Sequence, residues 1–112
     1  ARLYVPLGAH GERLMAAMSA PPTAQCMPDQ IVGAPVLFDV VFTGDPVLNY
    51  RDMMKGDKVH AVTFNAAVRE KGILKPGAKL YPHLALTEED LLQTEAAFIH
   101  AAEQVAAKHN AA

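Results

Sequence analysis

Lys79, Tyr81 and His83 alternate along one short run, so on an extended strand their side chains share a face. An ammonium beside a phenol and an imidazole can hold an anion, a carboxylate above all. A lysine does this as a point charge, less well than the planar fork of an arginine. No arginine follows Arg69, which makes Lys79 the cation of interest in the C-terminal part. The plain alternatives are a solvated loop lysine and a strand whose outer face is merely polar. Asp39 poses a different question, because it interrupts the apolar run Val36 to Phe42. A carboxylate there must meet solvent, a partner chain or a cation, since isolated burial is costly. An exposed sheet face is the simplest solution.

Other reactive side chains carry less. His10, His60, His100 and His109 are scattered, with no pair at the i, i+4 spacing of a helical metal site. Cys26, the single cysteine, has neither a CxxC partner nor an activating base, so no zinc site, internal disulfide or nucleophilic triad is expected. Glu88, Glu89 and Asp90 look like paired acids, but capping of a helix explains them fully. No residue of the chain is expected to be catalytic or to ligate a metal.

The elements that must position these residues follow from periodicity. Leu7, Leu14 and Met18, with Met15 beside them, predict a helix over 6–19 that Pro21-Pro22 ends. Pro6 fits its first turn, and Gly8 and Gly11 weaken it by ~1 kcal/mol each relative to alanine. Residues 25–32 can form a short edge strand, Gly33-Ala34-Pro35 a turn, and Val36 to Thr43 the strongest strand. In that strand Val36, Phe38, Val40 and Phe42 take one face, while Leu37, Asp39, Val41 and Thr43 take the other. Asp57 is placed to cap a helix over 58–71 with a buried stripe of Ala61, Phe64 and Val68, closed by Gly72 in the left-handed conformation. Ile73-Leu74 can add a very short strand, and Leu80 to Leu86 another, with Pro82 at an edge or bulge. Thr87 caps a last helix whose apolar stripe is Leu91, Leu92, Phe98, Ile99, Ala102, Val105 and Ala106. The expected fold is α+β, in the order α-β-β-α-β-α. It is a single domain over 1–112, with an antiparallel sheet of three to four strands and its helices on one face.

Composition excludes whole classes. A chain of 112 residues with half its residues hydrophobic and a fifth charged is globular in character. Its formal net charge of −2 and the lack of a Lys/Arg stripe interleaved with aromatics argue against a nucleic-acid partner. No apolar run approaches the ~20 residues of a membrane span, so no membrane partner is expected. Sparse cysteine usage fits a reducing, cytoplasmic setting.

Three segments carry a family likeness: Pro46 to Asp57 (PVLNYRDMMKGD), Gly72 to Pro76 (GILKP) and Leu84 to Thr94 (LALTEEDLLQT). In this order and spacing the chain resembles the C-terminal small domain of class III, fold-type I, pyridoxal-phosphate aminotransferases, glutamate-1-semialdehyde 2,1-aminomutase among them. The likeness runs from Tyr4 almost to the end and is weakest over 19–35. It implies a homodimeric parent enzyme acting on an amino acid or amine, with pyridoxal phosphate held by a preceding large domain. The cofactor lysine, its aspartate and the phosphate-binding turn belong to that domain and match nothing here. The chain alone is therefore expected to bind no cofactor and to turn nothing over. Transferable is one wall of the substrate cleft, which places Lys79, Tyr81 and His83 as its substrate-facing residues. The run after Pro76 departs from the family pattern: the usual serine and glutamate are missing, and His83 and Leu86 stand where serine and histidine are usual. Aminomutase and transaminase specificities thus both stay open. Ala1 is not preceded by a methionine, and the expectation is a piece of a larger enzyme. The rival expectation is a stand-alone, non-catalytic binding module that uses a bared sheet face with Leu37 and Val41.

Overall fold

The computed structural model describes residues 2–19 and 29–111. Cys26, Pro21-Pro22 and the first half of the expected strand over 25–32 lie outside them. The fold is α+β, with helices α1 (Tyr4–Ser19), α2 (Tyr50–Met53), α3 (Lys58–Glu70) and α4 (Glu88–Ala111) around the antiparallel hairpin β1 (Gln30–Ala34) and β2 (Leu37–Val41).

Capping chemistry sets the helix ends. The Asp57 carboxylate accepts from the His60 N–H at 3.0 Å and starts α3. Gly72, at φ 84°, follows the end of α3 in the left-handed conformation expected of it. At α4, Thr87 Oγ1 accepts from the Asp90 N–H and Asp90 Oδ2 accepts from the Thr87 N–H, a reciprocal box. Periodicity gave no sign of α2, because four residues hold too few apolar positions to show a period. Its signal is local: Asn49 Oδ1 accepts from the Asp52 N–H, and Asp52 Oδ2 accepts from the Leu48 N–H.

The core lies between one face of the hairpin and the helices. Phe38, Val40 and Phe42 point into it as their alternation requires, against Leu14, Met18, Phe64, Val68, Phe98 and Val105. Phe42, Phe64 and Phe98 form a chain of rings with centroids 5.9 and 6.1 Å apart. Along α4 the buried stripe is Leu91, Thr94, Phe98, Ala101 and Val105, with Ala97 beside it. Leu92 and Ile99, expected inside, are exposed because they sit about 100° around the helix from this seam. Arg13 ties α1 to α4, with Nε and Nη2 on Glu95 and Nη1 on Glu88 at 2.6–3.0 Å.

Two expectations about the sheet need correction. The hairpin turns at Pro35-Val36, two residues later than read, because Gly33 and Ala34 still pair with Phe38 and Leu37. The expected strand 80–86 is reduced to a single bridge, in which Phe38 and Leu80 exchange both backbone hydrogen bonds, at 3.2 and 2.6 Å. The described sheet therefore has two strands, not three to four. Pro82 explains one end. Two residues beyond Leu80 it would have to donate to the ladder, and it has no N–H. An ion pair described below explains the other.

The second sheet face is not bared either. Val41 is buried, and the Gly56 backbone packs so closely on its side chain that a Cβ at 56 would lie 2.8 Å from Val41 Cγ1.

Candidate functional site

Lys79, Tyr81 and His83 are all exposed, Tyr81 at 62%. The strand that was to align them exists only at Leu80, between the first two. Because Leu80 packs against the core, Lys79 and Tyr81 flank the bridge on its outward side. His83 lies beyond Pro82, at the start of a turn in which its carbonyl accepts from the Leu86 N–H at 3.4 Å. The same carbonyl lies 3.3 Å from His10 Nδ1 on α1, which ties the segment to that helix. The His83 side chain borders an open groove of about 300 Å³ shared with Leu86, Asp90 and Gln93.

A group that the sequence reading passed over is the most constrained one. Lys75, read only as part of a family motif, is 4% exposed. Its Nζ lies 3.0 Å from Asp39 Oδ1 and donates to the carbonyls of Ala78 (2.9 Å) and Pro76 (3.2 Å). Asp39, expected on an exposed face, has a side chain only 15% exposed. Of the three solutions open to a mid-strand carboxylate, the chain uses the cation. The clue in the sequence was the pair of charges, each set within an apolar run: Asp39 inside Val36 to Phe42, and Lys75 straight after Ile73-Leu74. Nothing local says that the two meet.

Burial pushes the Asp39 carboxyl above its usual value. The charge and hydrogen bond of Lys75, and the Val40 N–H, draw it back only in part. The native state thus binds this proton more tightly than the unfolded chain. The contribution of Asp39 to stability is greatest at acid pH and is lost as pH rises from the ordinary carboxylate range through the raised value. The depressed acids work in the opposite sense: Asp57, held down first by the His60 N–H, and Asp90, held down first by the Thr87 N–H, stabilise above that range and lose it as pH falls. The expected result for Asp39→Asn is a stability difference from the parent that changes with pH. The parent should lose ground to the variant as pH rises through this window, read from urea midpoints at a series of pH values. A difference that stays flat would refute the assignment.

Beside Asp39 a notch of about 120 Å³ opens along the β2 edge, lined also by Phe42, Met53, Gly56 and Asp57. It is well below the ~300 Å³ at which small-molecule sites begin. Among the described residues no group of three or more metal-ligating side chains is assembled, and no helix is long and apolar enough to cross a membrane.

Among the described residues no site fits pyridoxal phosphate. The cofactor needs an enclosed lysine amine free to condense with it; Lys75, the buried lysine, has its ammonium engaged by three oxygens, and the other lysines are exposed. It also needs a cradle of free N–H groups for its phosphate. The starts of α3 and α4 are instead closed by the carboxylates of Asp57 and Asp90, which repel an anion. Neither a protein-family model nor a curated protein matches the chain.

Proposed function

We propose that this chain is the small domain of a class III aminotransferase or aminomutase-like enzyme, and that it supplies one wall of the substrate cleft. The cofactor is carried by a large domain, the parent is a cytoplasmic homodimer, and the substrate is an amino acid or amine. The chain by itself is inactive. In the assembled enzyme the Leu80 segment joins a sheet of three to four strands. The observation that supports this reading most is the segment 79–83. It is pinned to the central strand at Leu80 yet carries Lys79 and Tyr81 outward, as a wall facing a missing partner requires. Each of the three family-like segments has a structural place: 46–57 forms α2 and the cap of α3, 72–76 brings in Lys75, and 84–94 starts α4.

A second reading, a stand-alone binding module, is favoured by the exposed run Leu3, Tyr4 and Val5 at the start of α1, at 66%, 71% and 75%. Covered Val41 weakens its original basis, the bared sheet face.

The test is kinetic. In the enzyme with its large domain, Lys79→Ala should raise KM for a carboxylate substrate about tenfold with kcat little changed, the signature of lost uniform binding worth about 1.4 kcal/mol. An unchanged KM removes Lys79 from the wall. The intact masses of all species in the preparation separate the two readings: a larger cofactor-bearing chain beside the 12.0 kDa one supports the enzyme, and the 12.0 kDa chain alone supports the module.

A further inference from the structure

The β2 edge stops pairing in an unusual way. Phe38 and Leu80 form one complete rung, and an antiparallel ladder would place the next at Val40 and Ala78, with Asp39 opposite Lys79 between them. That rung is absent, and two of its groups are engaged elsewhere. The Val40 N–H donates instead to Asp39 Oδ1 at 2.9 Å, and the Ala78 carbonyl accepts instead from Lys75 Nζ at 2.9 Å. The ion pair closes the path between them at 3.0 Å. Three links thus stand where one backbone hydrogen bond would.

We infer that Asp39 exchanges between two lysines, and that its choice sets the conformation of segment 76–80. With Lys75 as partner, the state observed, the ladder ends at Leu80 and Lys79 projects free into solvent. With Lys79 as partner, Val40 and Ala78 pair directly, the third strand lengthens, and Lys79 lies across the sheet beside Asp39. Directly opposed residues in an antiparallel pair share a face, so the geometry of the second state follows from the register of the first. Oppositely charged residues in such a pair attract, which gives the lengthened strand its own ion pair. In functional terms Asp39 and Lys75 are positioning residues for Lys79: the exchange presents or withdraws the cation. That consequence rests on the reading of Lys79 as part of a cleft wall, whereas the exchange itself does not.

The test reads the backbone of the 112-residue chain and needs no activity, so it can fail while the proposed function stands, and the reverse. Among the described residues nothing accepts the Ala78 N–H, so this amide reports the missing rung. In Lys75→Met its exchange should slow at least ~10-fold, since ladder pairing is what protects such an amide. A cross-strand nuclear Overhauser contact between the α-protons of Asp39 and Lys79 should appear with it. Adding Lys79→Met should reverse both effects, and Lys79→Met alone should leave the parent pattern unchanged. If Ala78 stays unprotected in folded Lys75→Met, or stays protected after Lys79 is also removed, the exchange does not occur. Should Lys75→Met not fold, Asp39→Asn combined with Lys75→Met removes both charges. With no carboxylate left for Lys79 to pair with, Ala78 should then stay unprotected, and a protected amide there overturns the inference.

Discussion

Lys75→Met is expected to lower the unfolding free energy by about 3 kcal/mol, the lower end of the range for removing one partner of a buried ion pair. The loss does not measure how much the pair stabilises the fold. Burial already disfavours the charged form of Asp39, and the raised carboxyl shows that Lys75 offsets this only in part. Methionine keeps much of the aliphatic stem but leaves the carboxylate, on a side chain 15% exposed, without its cation. It also strips the Pro76 and Ala78 carbonyls of their shared donor. Asp39→Asn added to Lys75→Met should recover most of the loss, because no buried charge then remains. Lys79→Met added instead should take the loss toward ~5 kcal/mol, since it removes the one lysine in register to replace Lys75. Urea titration with an unchanged m-value measures all three. A Lys75→Met chain within ~0.5 kcal/mol of the parent would mean that the pair is open to water, as surface pairs are.

Gly11→Ala should cost about 3 kcal/mol, at the top of the range for overpacking, while Gly8→Ala should gain about 0.5–1 kcal/mol. Propensity alone assigns both substitutions the same sign, because alanine is the better helix former. The surroundings reverse one of them. Nothing lies within 4 Å of the place a Cβ would take at Gly8, whereas at Gly11 it would overlap the Pro35 carbonyl. Pro35 sits in the hairpin turn, so Gly11 is where α1 and the turn meet backbone to backbone. A methyl there must push the helix off the hairpin or bend the turn, and either loosens Leu14 and Met18 against Phe38. Thermal unfolding of the two variants should shift in opposite directions. A common direction would mean that the α1–hairpin contact gives way easily.

The termini of α3 and α4 were legible because caps are local: Asp57, Gly72 and Thr87 sit within a few residues of the groups they satisfy. The core face of β2 was legible because alternation is a property of the strand alone. The seam of α4 was only half legible. Apolar residues occur on more than one side of that helix, and α1 and α3 decide which side is covered. The exposure of Lys79, Tyr81 and His83 agrees with their polar character, but their common face rested on a strand that Pro82 and the ion pair limit to one bridge.

What the sequence by itself determined is therefore whatever one segment can settle with its own neighbours: the helix ends, the inward face of β2 and the α+β class. What only the tertiary structure decided lies between segments distant along the chain. Gly11 is required by Pro35, and Lys75 is buried because Asp39 waits for it 36 residues earlier. The physical reason is that helix and strand signals arise from backbone geometry within a few residues. The partner of a charge, and the room for a methyl group, are properties of packed surfaces that exist only once the chain has closed on itself.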